Sequence, residues 1–283
     1  MEQGPTLLPL QHCKIIHLVR HAQGYHNVAG EIDMASYNDY ALLDASLTPN
    51  GWNQVARLRK HVVDTGLGSG IELVVVSPLT RTLQTAVGVF GGGEFVDGEI
   101  APPLMVNGVG KSPHPAVSSA RCPPFLALEL CREHTGVHPC DKRNPISRYK
   151  LEFPGVDFSE IETDEDEWWN ADIREPDEDL CQRGVEFLKW LLRRDEKEIA
   201  VVSHSGFLTH MVTLFGDDCG DTVQQEIRSR FANCALRTVI LTDKNGFTKK
   251  PSQSINFPGG VPPGPSSGSH LKDKIERSLS QKN

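Results

Sequence analysis

Short apolar runs alternate with helix-like segments along the chain, and this alternation constrains the fold more than any other feature. Each run is four to six residues long, as expected of strands buried on both faces. The predicted strands cover residues 15–19, 73–76, 125–130, 199–202 and 236–241. The helical patterns cover residues 51–63, 82–90, 180–192 and 206–215. This alternation predicts an α/β fold: a three-layer sandwich with a mostly parallel sheet and helices on both faces.

Composition divides the rest of the chain. Residues 1–13 are a short N-terminal arm, and residues 14–245 are the predicted domain. Within it, residues 91–179 are rich in Gly, Pro and acidic side chains, so we expect an irregular, lid-like insertion around the third strand. Its acidic run, 160–179, is expected to be a solvated loop face. From Pro251 to Ser269, 14 of 19 residues are Pro, Gly or Ser, which predicts a disordered tail over 246–283.

Charge and cysteine usage exclude several classes of protein. The net charge of −8 disfavours nucleic acid and anionic membrane as main partners. The seven cysteines are an odd number without a CxxC pair, which indicates reduced thiols. No apolar run approaches the ~18 residues of a membrane span, and the first residues resemble neither a signal nor a transit peptide. The cytoplasm is therefore the predicted location, and the sequence leaves the oligomeric state open.

Charged and polar residues follow four of the predicted strands. The four endings are Arg20-His21, Ser77-Pro78-Leu79-Thr80-Arg81, Arg132-Glu133-His134 and Ser203-His204-Ser205-Gly206. In open α/β sheets, ligands bind just beyond the carboxyl ends of the strands. We therefore expect arginines, histidines and a carboxylate to meet at one edge of the sheet.

This set of side chains suits a phosphoryl group. Arginine forks pair with phosphate oxygens, and helix N-termini add N–H donors. A neutral imidazole can attack phosphorus, and a carboxyl group can protonate the leaving oxygen and later deprotonate water. The predicted partner is thus a small phosphorylated substrate.

Four segments carry a recognisable signature in this order. They are residues 18–22 (LVRHA) with Asn27, 47–51 (LTPNG), 77–86 (SPLTRTLQTA) and 202–206 (VSHSG). Together they resemble the motifs of the histidine phosphatase (phosphoglycerate mutase-like) superfamily, over roughly residues 14–242, and the whole chain is most similar to its plant phosphoglycerate mutase-like members. One departure is Ala22, where the family has Gly.

The resemblance implies a role for each matching residue. His21 is the nucleophile that carries the phosphoryl group, and Arg20 and Arg81 hold the phosphoryl oxygens. His204 is implied to be catalytic as well, because it binds the phosphate and stabilises charge in the transition state. Asn27 lines the phosphate pocket. Neither a cofactor nor a metal is implied.

The general acid has two candidates. The family places it in a Leu-Arg-Glu segment shortly before a glycine, which Glu133 matches best, with a spacing to Gly136 one residue shorter than usual. Glu129 lies four residues earlier in the predicted strand and stays as the alternative. His26 follows His21 by five residues and is expected only to cap a turn.

A metal site is the competing interpretation of the same segment. Cys131, His134, His138 and Cys140 are all zinc-binding residue types. They lie within ten residues, whereas structural zinc sites commonly use two separated pairs, so we predict no metal.

The motifs favour a phosphomonoester hydrolase that forms phosphohistidine and acts on a small phosphorylated metabolite, with carbohydrate metabolism as the predicted context. No CxxxxxR, aspartyl-phosphate or Walker motif is present. The alternatives are a phosphoglycerate mutase-type transfer and a non-catalytic phosphate-binding module. The mutase is disfavoured because Glu133 is followed by His134-Thr135-Gly136 rather than by the Arg-His-Tyr-Gly of glycolytic mutases.

Overall fold

The sheet of the computed structural model contains strands at all five predicted positions. The structure describes residues 7–96, 98–243 and 277; apart from Arg277, the predicted tail over 246–283 lies outside them. The strands are β1 (Cys13–Arg20), β2 (Leu73–Val76), β3 (Phe125–Ala127), β4 (Glu198–Ser203) and β5 (Leu236–Thr242). Their order is β3-β2-β4-β1-β5, with only β5 antiparallel to its neighbour. The predicted α/β fold with a mostly parallel sheet is confirmed.

Helices surround the sheet. They are α1 (Tyr25–Ile32), α2 (Pro49–Asp64), α3 (Thr80–Phe90), α4 (Ile146–Glu152), α5 (Asp177–Arg193), α6 (Ser205–Thr213) and α7 (Asp221–Arg228). The predicted helices correspond to α2, α3, α5 and α6. Thr48 starts α2 because its hydroxyl accepts the amide hydrogen of Gly51 over 2.9 Å and Pro49 fits the first turn. Across the described ranges, no helix is both long and apolar enough to span a bilayer.

Alternate residues of the strands pack into two separate apolar cores, as the two-residue period of a strand requires. In β2, Val74 and Val76 face the core that α2 and α3 close. Leu73 and Val75 face the opposite core, which α5 and α6 close. The sheet is therefore the middle layer of three.

The register of the strands aligns their carboxyl ends. Arg20 pairs with Ser203 across β1 and β4, and Val76 pairs with Val202 across β2 and β4. The next residues, His21, Ser77 and His204, therefore leave the sheet side by side at one edge.

The third strand is shorter than predicted. β3 ends at Ala127 rather than at residue 130, and a 3-10 turn follows at Glu129–Cys131. The neighbouring β2 ends at Val76, whose carbonyl accepts the amide hydrogen of Leu128. Beyond Leu128, none of the described strands continues alongside β3. The chain then turns toward the sheet edge. The domain boundaries and the lid role of residues 91–179 stay predictions.

Candidate active site

His21 directly follows β1 and is buried, with 2% of its surface exposed. Its amide hydrogen bonds to the carbonyl of Ser203 on β4 over 2.9 Å. Its Nδ1 lies 2.7 Å from the carbonyl oxygen of Ala22, which can only accept, so Nδ1 carries the hydrogen. Burial first, and then the nearby charge of Arg81, hold the pKa of His21 well below its usual 6.5. The imidazole is thus neutral, with the lone pair on Nε2.

His204 lies beside His21 at the end of β4. The two ring centroids are 5.1 Å apart, and His204 is fully buried. Its Nε2 bonds to the hydroxyl of Ser77 over 2.7 Å, while Nδ1 has no hydrogen-bond partner among the described residues. Burial, followed by the charge of Arg81, holds the pKa of His204 well below 6.5. Sequence reasoning had not assigned a role to Ser77, although it belongs to the second-arginine segment.

His26 also belongs to this group, although its sequence context predicted only a turn cap. Its ring lies 5.4 Å from that of His21, and the residue is buried. Burial and then Arg81 hold its pKa well below 6.5, and its Nδ1 lacks a hydrogen-bond partner within the described ranges. Gly24, rather than His26, caps α1. No sequence pattern identifies this histidine as part of the site, because Arg81, whose charge helps to lower its pKa, comes from a distant part of the chain.

Arg20 and Asn27 are both held by the segment that precedes β5. Nη1 of Arg20 donates to the carbonyl of Phe231 over 2.9 Å, while its buried Nε has no partner in the part of the chain that is described. Oδ1 of Asn27 accepts from the amide of Gly24 at 3.0 Å and from Nδ2 of Asn233 at 3.2 Å. Both side chains line a cavity of about 460 Å³ whose other polar members are Glu31, Tyr37, Arg230 and Asn233.

Arg81 is 1% exposed and is held by the insertion. Its Nη1 donates to the carbonyl of Cys140, and its Nη2 pairs with Oδ1 of Asp141 at 2.9 Å. The second oxygen of Asp141 accepts from Nη1 of Arg174 at 2.9 Å. The insertion therefore reaches the predicted phosphate site, and sequence reasoning missed both Asp141 and Arg174.

Glu133 lies at the N-terminus of α6, the helix that follows His204. Its Oε1 accepts the amide hydrogen of Phe207 and its Oε2 that of Gly206, over 2.9 and 3.1 Å. Oε1 also accepts from the amide of His134 at 2.9 Å. The structure thus places the favoured acid and the second histidine at the start of the same helix.

Glu129, the alternative acid, points into a buried network of ion pairs. Its Oε1 accepts from Nε of Arg143 at 2.7 Å and from Nη1 of Arg132 at 3.3 Å. Arg132 is fully buried and also pairs with Asp166 over 2.6 Å. Asp166 belongs to the acidic run expected to be solvated, yet its side chain has no exposed surface. That expectation was wrong here, because the buried charge of Arg132 requires an anionic partner.

The four residues of the competing metal pattern have other partners, which for Cys140 is the carboxylate of Asp141 at 3.9 Å. Cys131 donates to the carbonyl of Leu128, and His134 bonds to the carbonyl of Glu175. His138 lies 3.8 Å from Asp141. Within the described ranges, no group of three or more His, Cys, Asp or Glu side chains is arranged to hold a metal ion. That the protein works without a metal stays a prediction.

Four buried polar atoms around His21 lack hydrogen-bond partners among the described residues. They are Nε of Arg20, Nε of Arg81, Nδ1 of His26 and Nδ1 of His204. Buried polar atoms are normally paired, so these four are free to bind a polar ligand.

The chain is similar to known proteins over most of its length. Residues 16–96 match the model of the histidine phosphatase superfamily (branch 1). The chain is 52% identical over 262 residues to a phosphoglycerate mutase-like protein of Arabidopsis thaliana, covering 93% of this chain and 97% of that protein. It is 51% identical to phosphoglycerate mutase-like protein 1 of the same plant, with 92% of each chain covered. Among solved structures, it resembles the ecdysone phosphate phosphatase of Bombix mori at 18% identity and a TM-score of 0.48, covering 88% of this chain and 97% of that chain.

Proposed function

The chain belongs to the histidine phosphatase superfamily, and on this premise we propose that it is a phosphomonoester hydrolase acting through a phosphohistidine intermediate. Its substrate is a small phosphorylated metabolite, in carbohydrate metabolism. The observation that carries the proposal is the state of His21. This side chain is buried and neutral, and the bond from Nδ1 to Ala22 leaves the lone pair on Nε2. A fixed neutral imidazole is a nucleophile that needs no separate base.

The first half-reaction transfers the phosphoryl group to His21. Nε2 forms a bond to phosphorus while the bond from phosphorus to the ester oxygen breaks. Protonated Glu133 gives its proton to the leaving oxygen, which departs as an alcohol. Arg20 and Arg81 hold the oxygens whose charge grows in the transition state.

The second half-reaction returns the enzyme to its starting state. The carboxylate of Glu133 removes a proton from water as the water oxygen attacks phosphorus. The bond between phosphorus and Nε2 breaks, which releases inorganic phosphate and leaves His21 neutral. The protonated Glu133 is then ready for the next turnover.

The cavity beside Arg20 and Asn27 supports a small polar substrate. Its volume of about 460 Å³ lies within the range of small-molecule sites, and Arg20 and Asn27 connect it to the proposed phosphate site. Tyr37, Arg230 and Asn233 supply hydrogen-bonding groups to its wall. Sugar hydroxyls are well matched to such a lining.

A mutase is the second candidate, because the two Arabidopsis relatives are named phosphoglycerate mutase-like. A mutase returns the phosphoryl group to another hydroxyl of its substrate and must exclude water. The hydrolase is favoured because Glu133 is followed by His134-Thr135-Gly136, without the Arg and Tyr of glycolytic mutases.

A panel of phosphorylated metabolites followed by ³¹P NMR separates these functions. A hydrolase converts substrate into an equal amount of inorganic phosphate. A mutase gives a phosphorylated isomer without phosphate release. His21→Ala is the inactive control, and a wild-type protein that binds phosphate esters without converting any of them would refute both enzymatic proposals.

A further inference from the structure

The general acid candidate is held at its main chain as well as at its carboxylate. Arg183 of α5 is buried, and its Nη2 donates to the carbonyl of Glu133 over 3.0 Å. Its Nη1 donates to the carbonyls of Leu130 and Arg132, over 3.0 and 2.8 Å. One side chain thus binds three carbonyls of the segment that carries Glu133.

Glu175 uses the remaining hydrogens of this arginine. Its Oε1 accepts from Nε of Arg183 at 2.8 Å, and its Oε2 accepts from Nη2 at 2.7 Å. A guanidinium has five N–H donors, and each of the five has an acceptor here. Glu175 also bonds to Thr135 through both its amide and its carboxylate, over 3.0 and 3.1 Å. The Arg183–Glu175 ion pair therefore binds residues on both sides of Glu133.

This segment needs such support because none of the five described strands pairs with it. β3 ends at Ala127, and only a 3-10 turn at Glu129–Cys131 follows. Buried carbonyls that are not hydrogen-bonded to a neighbouring strand must accept hydrogen bonds from other donors. Arg183 supplies them, and its guanidinium also lies 5.0 Å from the ring centre of Phe207, whose amide binds the Glu133 carboxylate.

We propose that Arg183, oriented by Glu175, is the positioning residue for the acid Glu133. The inference rests on the proposed function, because it assumes that Glu133 protonates the leaving oxygen. Proton transfer requires hydrogen-bond distance to that oxygen, and a displacement of about 1 Å can cost about 10²-fold in rate. Arg183 touches neither the phosphoryl site nor the nucleophile in the described structure, so its effect passes through the backbone of Glu133.

A purely structural role would look different. An arginine that only stabilises the fold would, when replaced, slow all substrates alike. A positioning residue for the acid affects only leaving groups that need a proton. The glycerol of glycerol 2-phosphate is a poor alkoxide leaving group and needs a proton from the acid, whereas p-nitrophenolate leaves without one.

The test compares Arg183→Lys with a matched control, Arg143→Lys. Arg143 is also buried and donates to four carbonyls, those of Asn144, Thr163, Asp164 and Glu165, but to none between residues 130 and 135. Its Nε binds the carboxylate of Glu129, so this control also perturbs the alternative acid. Lysine keeps the charge at both positions and loses the planar fork. Single-turnover phosphorylation rates are measured with glycerol 2-phosphate and p-nitrophenyl phosphate, and the Tm of each variant is measured alongside.

We expect Arg183→Lys to slow phosphorylation by glycerol 2-phosphate roughly 10- to 100-fold and by p-nitrophenyl phosphate less than about 3-fold. Arg143→Lys should lower Tm and leave the ratio of the two rates unchanged. Glu175→Gln, a milder change, should shift the ratio in the same direction as Arg183→Lys. An unchanged ratio in Arg183→Lys and Glu175→Gln overturns the inference and leaves the proposed hydrolase intact. A wild-type protein that forms no phosphoenzyme with these two substrates or with any ester of the metabolite panel overturns both.

Discussion

The carboxylate of Glu133 lies so close to Gly206 that a Cβ built on the glycine would overlap Oε1. The same carboxylate accepts the amide hydrogens of Gly206 and Phe207. Only the absence of a side chain at position 206 allows this approach. Gly206 is therefore part of the site, although the sequence marked it only as the end of the second-histidine segment.

This contact predicts a selective effect of Gly206→Ala. The methyl group should displace the flexible carboxylate of Glu133 while leaving His21 and the arginines in place. We expect a loss of about 10-fold or more with alkyl phosphates and a much smaller loss with p-nitrophenyl phosphate. Gly220→Ala is the matched control, since nothing lies within 4 Å of a Cβ built there. Equal losses on both substrates in Gly206→Ala would contradict this interpretation.

The two acid candidates are separated by direct replacement. Glu133→Gln should lower the phosphorylation rate of alkyl phosphates by roughly 10²–10⁴, and that of p-nitrophenyl phosphate far less. Glu129→Gln should weaken the ion pair with Arg143, lower Tm and leave the leaving-group dependence intact. Single-turnover kinetics are needed, because the same carboxylate activates water in the second step. If Glu129→Gln shows the leaving-group dependence instead, the two roles must be exchanged.

Stability should fall as the pH drops below 6.5. The pKa values of His21, His26 and His204 are held below 6.5 by burial and by the charge of Arg81, so the unfolded chain binds protons that the folded chain does not. Each histidine should remove up to about 1.4 kcal/mol of unfolding free energy per pH unit below 6.5, until its folded pKa is reached. The contribution of these three histidines to the free energy of unfolding is therefore fully present above pH 6.5.

Urea unfolding of wild type and His26→Gln at pH 7.5, 6.0 and 5.5 measures this effect. The variant should lose less unfolding free energy between pH 7.5 and 5.5, because one buried neutral histidine is gone. The same pH dependence in both proteins would show that His26 is not kept neutral by the fold.

Activity should not depend on a metal ion. The side chains expected to bind the phosphoryl group are Arg20, Arg81 and His204, which supply donors without a cation. Dialysis against EDTA should therefore leave turnover unchanged. A loss that zinc restores would instead assign Cys131, His134, His138 and Cys140 the role of ligands.

The sequence predicted those parts of the fold that depend on local pattern. Long helices such as α2 and α5 show their period within one window, whereas α1, α4 and α7 have only seven or eight residues and lack a full pattern. The end of β3 could not be located, because it depends on where β2 ends. The periodicity of apolar residues shows how one segment is buried. It does not show where the neighbouring strand ends, and that determines the length of β3.

Partners distant in sequence were the main omission at the site. Arg81 and Asp141 are 60 residues apart, and Arg132 and Asp166 are 34 apart. An acidic run is ordinarily a solvated face, and only the folded chain shows which carboxylates meet a buried arginine. The residues at the strand ends could be predicted from the sequence, because their placement follows from the strand directions alone.

The nucleophile gives the most direct test. Wild-type protein mixed briefly with ³²P-labelled substrate and quenched in alkali should carry one phosphoryl group, stable to base and labile to acid, on Nε2 of His21. His21→Ala should carry none, while Glu133→Gln should still be labelled by a substrate with a good leaving group. A label that survives acid, or one that persists in His21→Ala, would contradict the phosphohistidine mechanism.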